Sequence, residues 1–339
     1  MNFSDITDAQ KRLTPHIVKT PIFTSQRLNQ WLSAGSLPEG QSHAVLFKAE
    51  CLQTTGAFKM RGATNFIAKL AEQDKLPKHI VANSSGNHAQ AVAYAAKKFN
   101  IPATIYAAQN ISPIKAAATQ SYGAELKCYP TRQEADAAVA EASQRSGCIW
   151  IPPFNHPDII AGQGTVVAEA FSQIEPVDAV FAPCGGGGLL AGSLIAARAL
   201  NDKTKVFGVE PASANDAAES LRKGSIVPLA APANTLADGA ATPSVGEFTF
   251  PLLQQLDGFY EVTEARIAYW TQWLHHLLKL QAEPTCCMTM QGVVEWLATQ
   301  SMPQRVLVIL SGGNISTSSM HKITETDYLS SPPSLKVMK

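Results

Sequence analysis

The chain has 339 residues, 45% hydrophobic and only 16% charged, with 27 Lys and Arg set against 27 Asp and Glu. This length buries a sizeable core in two domains or one large one, and the hydrophobic content excludes a disordered chain. Zero net charge removes the electrostatic case for a nucleic-acid or anionic-membrane partner.

In chain order, Ile80–Asn83 reads as a strand and Ala89–Phe99 as a helix. Ala103–Ala107 is a strand and Pro113–Tyr122 a helix. Glu125–Tyr129 and Ile149–Ile151 are strands separated by the helical run Gln133–Arg145. Then come strand Ala179–Ala182, helix Leu189–Leu200, strand Lys205–Val209, helices Glu264–Leu280 and Thr285–Thr299, and strand Arg305–Leu310. Strands separated by helices predict right-handed βαβ units and a mostly parallel sheet. The continuous apolar run Val306–Leu310 suits a buried parallel strand. Pro152-Pro153, Ala231–Gly239 and Ala241–Gly246 read as loops. Ser330 onward reads as a frayed tail.

No apolar run reaches the roughly 18–20 residues that span a bilayer. The start, Met1-Asn2-Phe3-Ser4-Asp5-Ile6, has neither the basic segment nor the apolar core of a secretory signal. A soluble, cytoplasmic protein is expected. The six cysteines, Cys51, Cys128, Cys148, Cys184, Cys286 and Cys287, form no CxxC pair and are expected to be reduced and largely buried. His275-His276 lacks a metal-ligand spacing.

Five constellations could carry chemistry. In Thr54–Gly62, Lys59 sits between Phe58 and Met60 after a glycine turn. Desolvation there would lower its amine pKa and make it nucleophilic towards carbonyls, although a lone lysine also fits a solvated surface. Ser84-Ser85-Gly86-Asn87-His88 follows a strand and opens a helix. Its hydroxyls and free N–H groups could hold a carboxylate, or simply cap the helix. Cys184-Gly185-Gly186-Gly187-Gly188-Leu189 also joins a strand to a helix. Four glycines can turn several N–H groups towards one anion, and the helix dipole adds to this. The motif is neither GxGxxG nor a GK[ST] loop, and close helix–strand packing is the plainer alternative. Glu210 and Asp216, on a Pro-containing loop, could hold a hard cation or merely be solvated. Leu310-Ser311-Gly312-Gly313-Asn314 puts a hydroxyl at the end of the last strand, or forms a simple turn.

Together and in this order, these five resemble the fold-type II pyridoxal-phosphate enzymes, in the serine/threonine dehydratase and serine racemase branch. The resemblance runs from about Leu13 to Thr317. It includes Gly162-Gln163-Gly164-Thr165, Thr235-Leu236-Ala237-Asp238-Gly239 and Glu283-Pro284-Thr285. It implies a tryptophan synthase β-like α/β fold with two open three-layer domains and mostly parallel sheets. A large cofactor-binding domain would comprise 1–52 and 153–320, a small mobile domain 53–152, and a C-terminal tail 321–339.

The resemblance also implies roles. Lys59 would be the Schiff-base lysine, with Phe58 against the pyridoxal 5'-phosphate ring. Asn87 would bind the ring's phenolic oxygen, Gly185, Gly186, Gly187 and Gly188 the phosphate, and Ser311 the pyridine nitrogen. Ser84, Ser85 and His88 would receive the substrate carboxylate, with Asn155 and Gly239 lining the substrate space. Ser85 matches the second acid/base of the racemases. Glu210, the carbonyl of Ala214, and Asp216 would hold Mg²⁺, Mn²⁺ or Ca²⁺. Members that make cysteine usually carry Thr-Ser-Gly-Asn-Thr, so Ser-Ser-Gly-Asn-His favours dehydration over β-replacement. Ala89 stands where many relatives have Gly, and its methyl should narrow the space beside the loop.

The implied reaction is β-elimination of water from L-threonine and/or L-serine, giving a 2-oxo acid and ammonia. Serine racemisation and 3-hydroxyaspartate dehydration are alternatives, and the sequence leaves open whether Arg132 meets a second substrate carboxylate. A non-catalytic cofactor-binding protein is opposed by the intact Lys59, Asn87 and Ser311. A homodimer is expected by family analogy.

Overall fold

The computed structural model describes residues 1–109 and 111–335. The chain begins with α1 (Phe3–Leu13), whose N-cap Asn2 accepts from the Ser4 N–H while Asp5 accepts from the Asn2 N–H. This reciprocal pair satisfies donors that a helix start leaves free. Next come β1 (Ile22–Thr24), α2 (Gln26–Ser33), β2 (Ala44–Ala49) and α3 (Lys59–Glu72). The segment from 79 to 150 alternates β3 (His79–Asn83), α4 (Asn87–Lys98), β4 (Ala103–Ala108), α5 (Pro113–Ser121), β5 (Glu125–Tyr129), α6 (Arg132–Ser143) and β6 (Cys148–Trp150). The chain then runs through α7 (Pro157–Phe171), β7 (Ala179–Pro183), α8 (Gly188–Leu200), β8 (Lys205–Pro211) and α9 (Asp216–Lys223). It ends with α10 (Phe250–Leu253), β9 (Gly258–Val262), α11 (Glu264–Leu278), α12 (Pro284–Cys287), α13 (Thr289–Leu297), β10 (Arg305–Leu310) and α14 (Thr317–Thr324).

The strands form two sheets. One has the order β5-β4-β3-β6 and is wholly parallel. The other has the order β1-β2-β10-β7-β8-β9, with only the edge pair β1–β2 antiparallel. The last strand, β10, lies between β2 and β7. Its residues Val306 to Leu310 are fully buried, as a strand covered on both faces requires. Strand ends in both sheets carry the loops that build the site.

Helices α3, α7 and α8 approach one another very closely. A Cβ on Gly162 would sit 2.7 Å from the Gly62 Cα, and one on Gly192 would sit 2.5 Å from the Gly164 N. The Gly162–Thr165 segment is therefore a packing face. Beside it lies a buried ion network. The Arg61 guanidinium donates to both oxygens of Glu50 at 2.8 Å and to Glu169 at 2.9 and 3.2 Å. The Lys48 Nζ joins Glu169, Gln173 and the Thr20 carbonyl.

Several expectations change. No strand or helix before residue 79 is apparent in the sequence, nor are α7, α9, α10, β9 or α14. The predicted helix Thr285–Thr299 breaks at Met288 into α12 and α13. The C-terminal stretch is a packed strap as far as it is described, not a frayed tail. The Tyr269 hydroxyl and Trp273 indole on α11 donate to the Ser331 carbonyl, and Leu335 is buried. Polar tips of buried aromatics need acceptors, and the strap's carbonyls supply them. Residues 336–339 lie outside the described residues. No disulfide is formed; Cys51, Cys184, Cys286 and Cys287 are buried, whereas Cys128 is exposed. Among the described residues, no helix is long and apolar enough to cross a membrane.

Candidate active site

Lys59 is the first residue of α3. The turn before it is stitched to the turn after β10: the Phe58 N–H donates to the Ser311 carbonyl at 2.9 Å, and the Gly313 N–H to the Gly56 carbonyl at 2.9 Å. Gly56 has φ +71°, and a Cβ there would lie 2.6 Å from the Asn314 Oδ1. Two distant motifs thus become neighbours. The Lys59 Nζ donates to the Pro153 carbonyl at 2.7 Å and lies 5.2 Å from the Phe58 ring centre. Desolvation brings its amine down to about 8.

The glycine loop joins β7 to α8. Its carbonyls are tied back: Gly186 O accepts from the Thr249 hydroxyl at 2.8 Å, and Gly187 O from the Ala191 N–H. The N–H groups of Gly185, Gly186, Gly187 and Gly188 donate to no carbonyl among the described residues. Gly187 adopts φ +87°, and a Cβ on Gly186 would strike the Phe154 ring. The result is a cluster of unpaired donors at a helix start, with no room for side chains.

The Ser84–His88 loop joins β3 to α4. The Ser84 N–H donates to the Tyr106 carbonyl, the Ser84 hydroxyl accepts from the Gly86 N–H at 3.1 Å, and the Ser85 hydroxyl accepts from the Ala108 N–H at 3.3 Å. The His88 ring is buried and bonded to the Ile151 carbonyl at 2.9 Å. Burial and the nearby Lys59 charge push it down to about 3, so it is neutral. What His88 offers towards the loop is its N–H in the first turn of α4. The Ala89 methyl is fully buried in the apolar core beside the four-stranded sheet.

Asn87 meets two residues for which the sequence suggested no role. Its Nδ2 donates to both oxygens of Glu283 at 2.9 Å, and its Oδ1 accepts from the Asn314 Nδ2 at 2.9 Å. Glu283 is buried, and its carboxyl is pushed up to about 7 by burial and by the Asp238 charge. Ser311 is likewise buried. The Gly239 N–H donates to the Thr285 hydroxyl at 3.0 Å. The Asn155 Oδ1 accepts from the Phe248 N–H at 2.8 Å, which anchors the loop before α10. Lys115 on α5 pairs with Asp238 at 2.6 Å, and the Arg132 Nη1 donates to the Ala241 carbonyl at 3.2 Å. Partners so far apart in the chain leave no local pattern to read.

Residues 13–312 match the family model described as pyridoxal-phosphate dependent enzyme. This chain belongs to that family. It is 40% identical to L-threo-3-hydroxyaspartate ammonia-lyase of Saccharomyces cerevisiae over 92% of this chain and 93% of the relative. It is 36% identical to serine racemase of Schizosaccharomyces pombe over 92% and 94% of the two chains. The solved structure of a threonine deaminase from T.th. has a TM-score of 0.84 at 39% identity, covering 93% of this chain and 99% of that one.

The donor set fits the family's cofactor. Unpaired glycine N–H groups suit a phosphate, and a half-buried amine with lowered pKa suits an aldehyde. The two curated relatives named above are an ammonia-lyase and a racemase.

A second acidic feature lies behind the glycine loop. Glu210 and Asp216 are buried. Glu210 accepts from the Ala217 and Ala218 N–H groups at 3.3 and 2.7 Å. Both oxygens of Asp216 lack a partner within bonding geometry. Burial pushes Glu210 up to about 9, helped by Asp216, and Asp216 up to about 7. Ala214 is buried in the short turn Ala212–Ala214. Among the described residues, no cluster of three or more His, Cys, Asp or Glu could hold a metal, so a cation here would rest on two carboxylates, carbonyls and water.

Proposed function

We propose that this chain is an ammonia-lyase that removes water from L-serine and L-threonine, giving a 2-oxo acid and ammonia. The observation that carries this reading is that Lys59 is stitched to the Ser311 turn after β10 and bonds the Pro153 carbonyl, next to the Phe154 that packs on the glycine loop after β7. Pyridoxal phosphate, when bound, supplies an electron sink for the charge left at Cα.

The chain's own residues would do the rest. Gly185 to Gly188 bind the phosphate through their N–H groups, and Phe58 packs on the ring. Asn87 donates to the ring oxygen. The Ser311 hydroxyl meets the pyridine nitrogen without keeping it protonated as a carboxylate would, which favours early loss of the β-hydroxyl. Ser84, Ser85 and the N–H groups opening α4 receive the substrate carboxylate, beside Asn155 and Gly239. The Lys59 amine, near 8, takes the Cα proton at physiological pH. Ser85 is the acid/base candidate for the other face. The β-hydroxyl leaves as water after gaining one proton, and water then hydrolyses the dehydrated amino acid.

Residues 53–152 would close on the body formed by 1–52 and 153–320 and exclude water from the carbanion. Glu210, Asp216 and the Ala214 carbonyl would hold Mg²⁺, Mn²⁺ or Ca²⁺, which fixes the loop and does not touch the substrate. A homodimer rests on the family resemblance, and a cytoplasmic setting on the composition.

A second reading, L-threo-3-hydroxyaspartate as substrate, is favoured by the name of the yeast relative and by Lys115 and Arg132 beside the 238–241 turn. Ammonia release from L-serine, D-serine, L-threonine and both 3-hydroxyaspartate diastereomers decides. Faster release from L-serine or L-threonine supports the first reading, and release from hydroxyaspartate alone replaces it. D-Serine accumulating faster than pyruvate from L-serine makes the chain a racemase. Lys59→Ala should lower ammonia release by at least about 100-fold, the loss expected for a general base.

A further inference from the structure

We propose that Glu283 and Asn314 together determine which end of the Asn87 amide faces the cofactor, making Glu283 a positioning residue for the ring-oxygen contact. This rests on the proposed role of Asn87. The two ends of an asparagine amide have nearly the same shape but opposite hydrogen-bonding character. A contact that requires a donor therefore needs something to prevent the flip.

The structure sorts the two ends chemically. Asn87 Nδ2 faces the Glu283 carboxylate, which accepts. Asn87 Oδ1 faces the Asn314 Nδ2, which only donates. Flipping Asn87 would set oxygen against oxygen and nitrogen against nitrogen, with burial raising the cost of each mismatch.

Both partners are themselves held. Asn314 donates from Nδ2 to the Thr55 carbonyl at 2.8 Å and from its N–H to the Glu283 Oε1 at 3.0 Å. The Glu283 N–H donates to the Gly312 carbonyl at 2.8 Å. Gly312 must stay small, because a Cβ there would lie 2.5 Å from the Glu283 Oε2 and 3.0 Å from the Asn87 Nδ2. The Ser311-Gly312-Gly313-Asn314 turn thus provides the site with more than a hydroxyl.

The charge of Glu283 is itself responsive to pH. Burial and Asp238 push its carboxyl up to about 7, against the pull of Lys115 on α5. The other titratable groups facing it are the Cys51 thiol after β2 and the Cys286 thiol of α12, which bonds the Glu283 carbonyl at 3.1 Å. Burial pushes Cys51 up to about 12, so of these two groups it is Glu283 that changes charge near neutrality. An acceptor that gains negative charge beside the ring oxygen should move the ring's visible absorption.

The test is the visible spectrum of the holoenzyme between pH 6 and 9, for the wild type and for Glu283→Gln, Asn314→Ala and Asn87→Ala. The wild type should show a spectral step near pH 7. Glu283→Gln should lose that step and shift the band, because glutamine can turn its amide nitrogen towards Asn87. Asn314→Ala, which leaves the carboxyl in place, should keep the step and shift the band; this second variant keeps the test decisive if the first does not fold. A Glu283→Gln spectrum with the wild-type step, or an Asn314→Ala band at the wild-type position, overturns the positioning role. If Asn87→Ala leaves the spectrum unchanged, the role of Asn87 falls and the inference falls with it. A change in Asn87→Ala without one in the other two sinks the inference alone.

Discussion

Two pairs of carboxylates lie in the interior around the six-stranded sheet, Glu50 with the nearly buried Glu169, and Glu210 with Asp216. The first pair is enclosed by cations of the chain itself, Arg61 and Lys48. Burial alone would raise Glu169, but the Arg61 guanidinium and the Lys48 ammonium hold it below the ordinary range. The second pair has only backbone N–H groups around it, and both carboxyls are pushed up. The chain has balanced one buried acidic cluster internally and left the other to be neutralised by protons or by a cation from outside. A buried charge without a partner is costly, so the second cluster should respond to an added cation where the first does not.

The largest expected effect breaks the first cluster. Arg61→Met leaves Glu50 and Glu169 with Lys48 alone, and losing one partner of a buried ion network typically costs about 3–5 kcal/mol. Urea unfolding measures it; a loss below about 1 kcal/mol would mean that the network contributes little. Next comes the second cluster with a cation. Mg²⁺, Mn²⁺ or Ca²⁺ at a hundredfold excess over Kd should add about 2.7 kcal/mol of stability to the wild type. The double variant Glu210→Gln, Asp216→Asn should not respond.

The pH dependence of the two clusters has opposite sign. Glu169, lowered on folding, contributes stability above its unfolded pKa, which is lost as pH falls below that range. Glu210 and Asp216, raised from 4.5 and 3.8 to about 9 and about 7, contribute stability at low pH that is lost as pH rises towards 9. In chelator, the wild type should therefore lose up to about 1.4 kcal/mol per pH unit for each titrating group. The double amide variant should have a flatter profile, and an equally steep one would dismiss the cluster. The smallest effect belongs to the exposed Arg222, paired with Glu219 and Glu261: Arg222→Ala should leave the unfolding midpoint unchanged.

Legibility in the sequence followed the range of the interaction. β5 and β10 lie where the sequence predicts strands, β10 from its apolar run, and the glycine loop was readable because one short segment holds the whole feature. α7 was not readable, because Gly162 and Gly164 argue locally against a helix interior. Those glycines are explained only by the helices packed against them. Asn87 and Asn314 stand 227 residues apart, and Arg61 and Glu169 stand 108 apart, so neither pair leaves a spacing to recognise. His88 was legible as part of a loop, but not as a buried neutral ring. Pro332-Pro333 correctly signalled the absence of regular structure, yet proline does not prevent a strap from packing.

The central place of β10 has a consequence for biogenesis. β2 and β7 are its neighbours on either side, and both leave the ribosome long before it does. At ~5–20 residues per second, the gap between completing β2 and completing β10 is on the order of 10–50 s. Through that interval β2, joined by β7 once residue 183 is made, presents an open edge, and the turn that aligns Phe58 and Asn87 has not been made. Cofactor capture is thus a late event, and a nascent chain halted before residue 305 should associate with other chains through those edges.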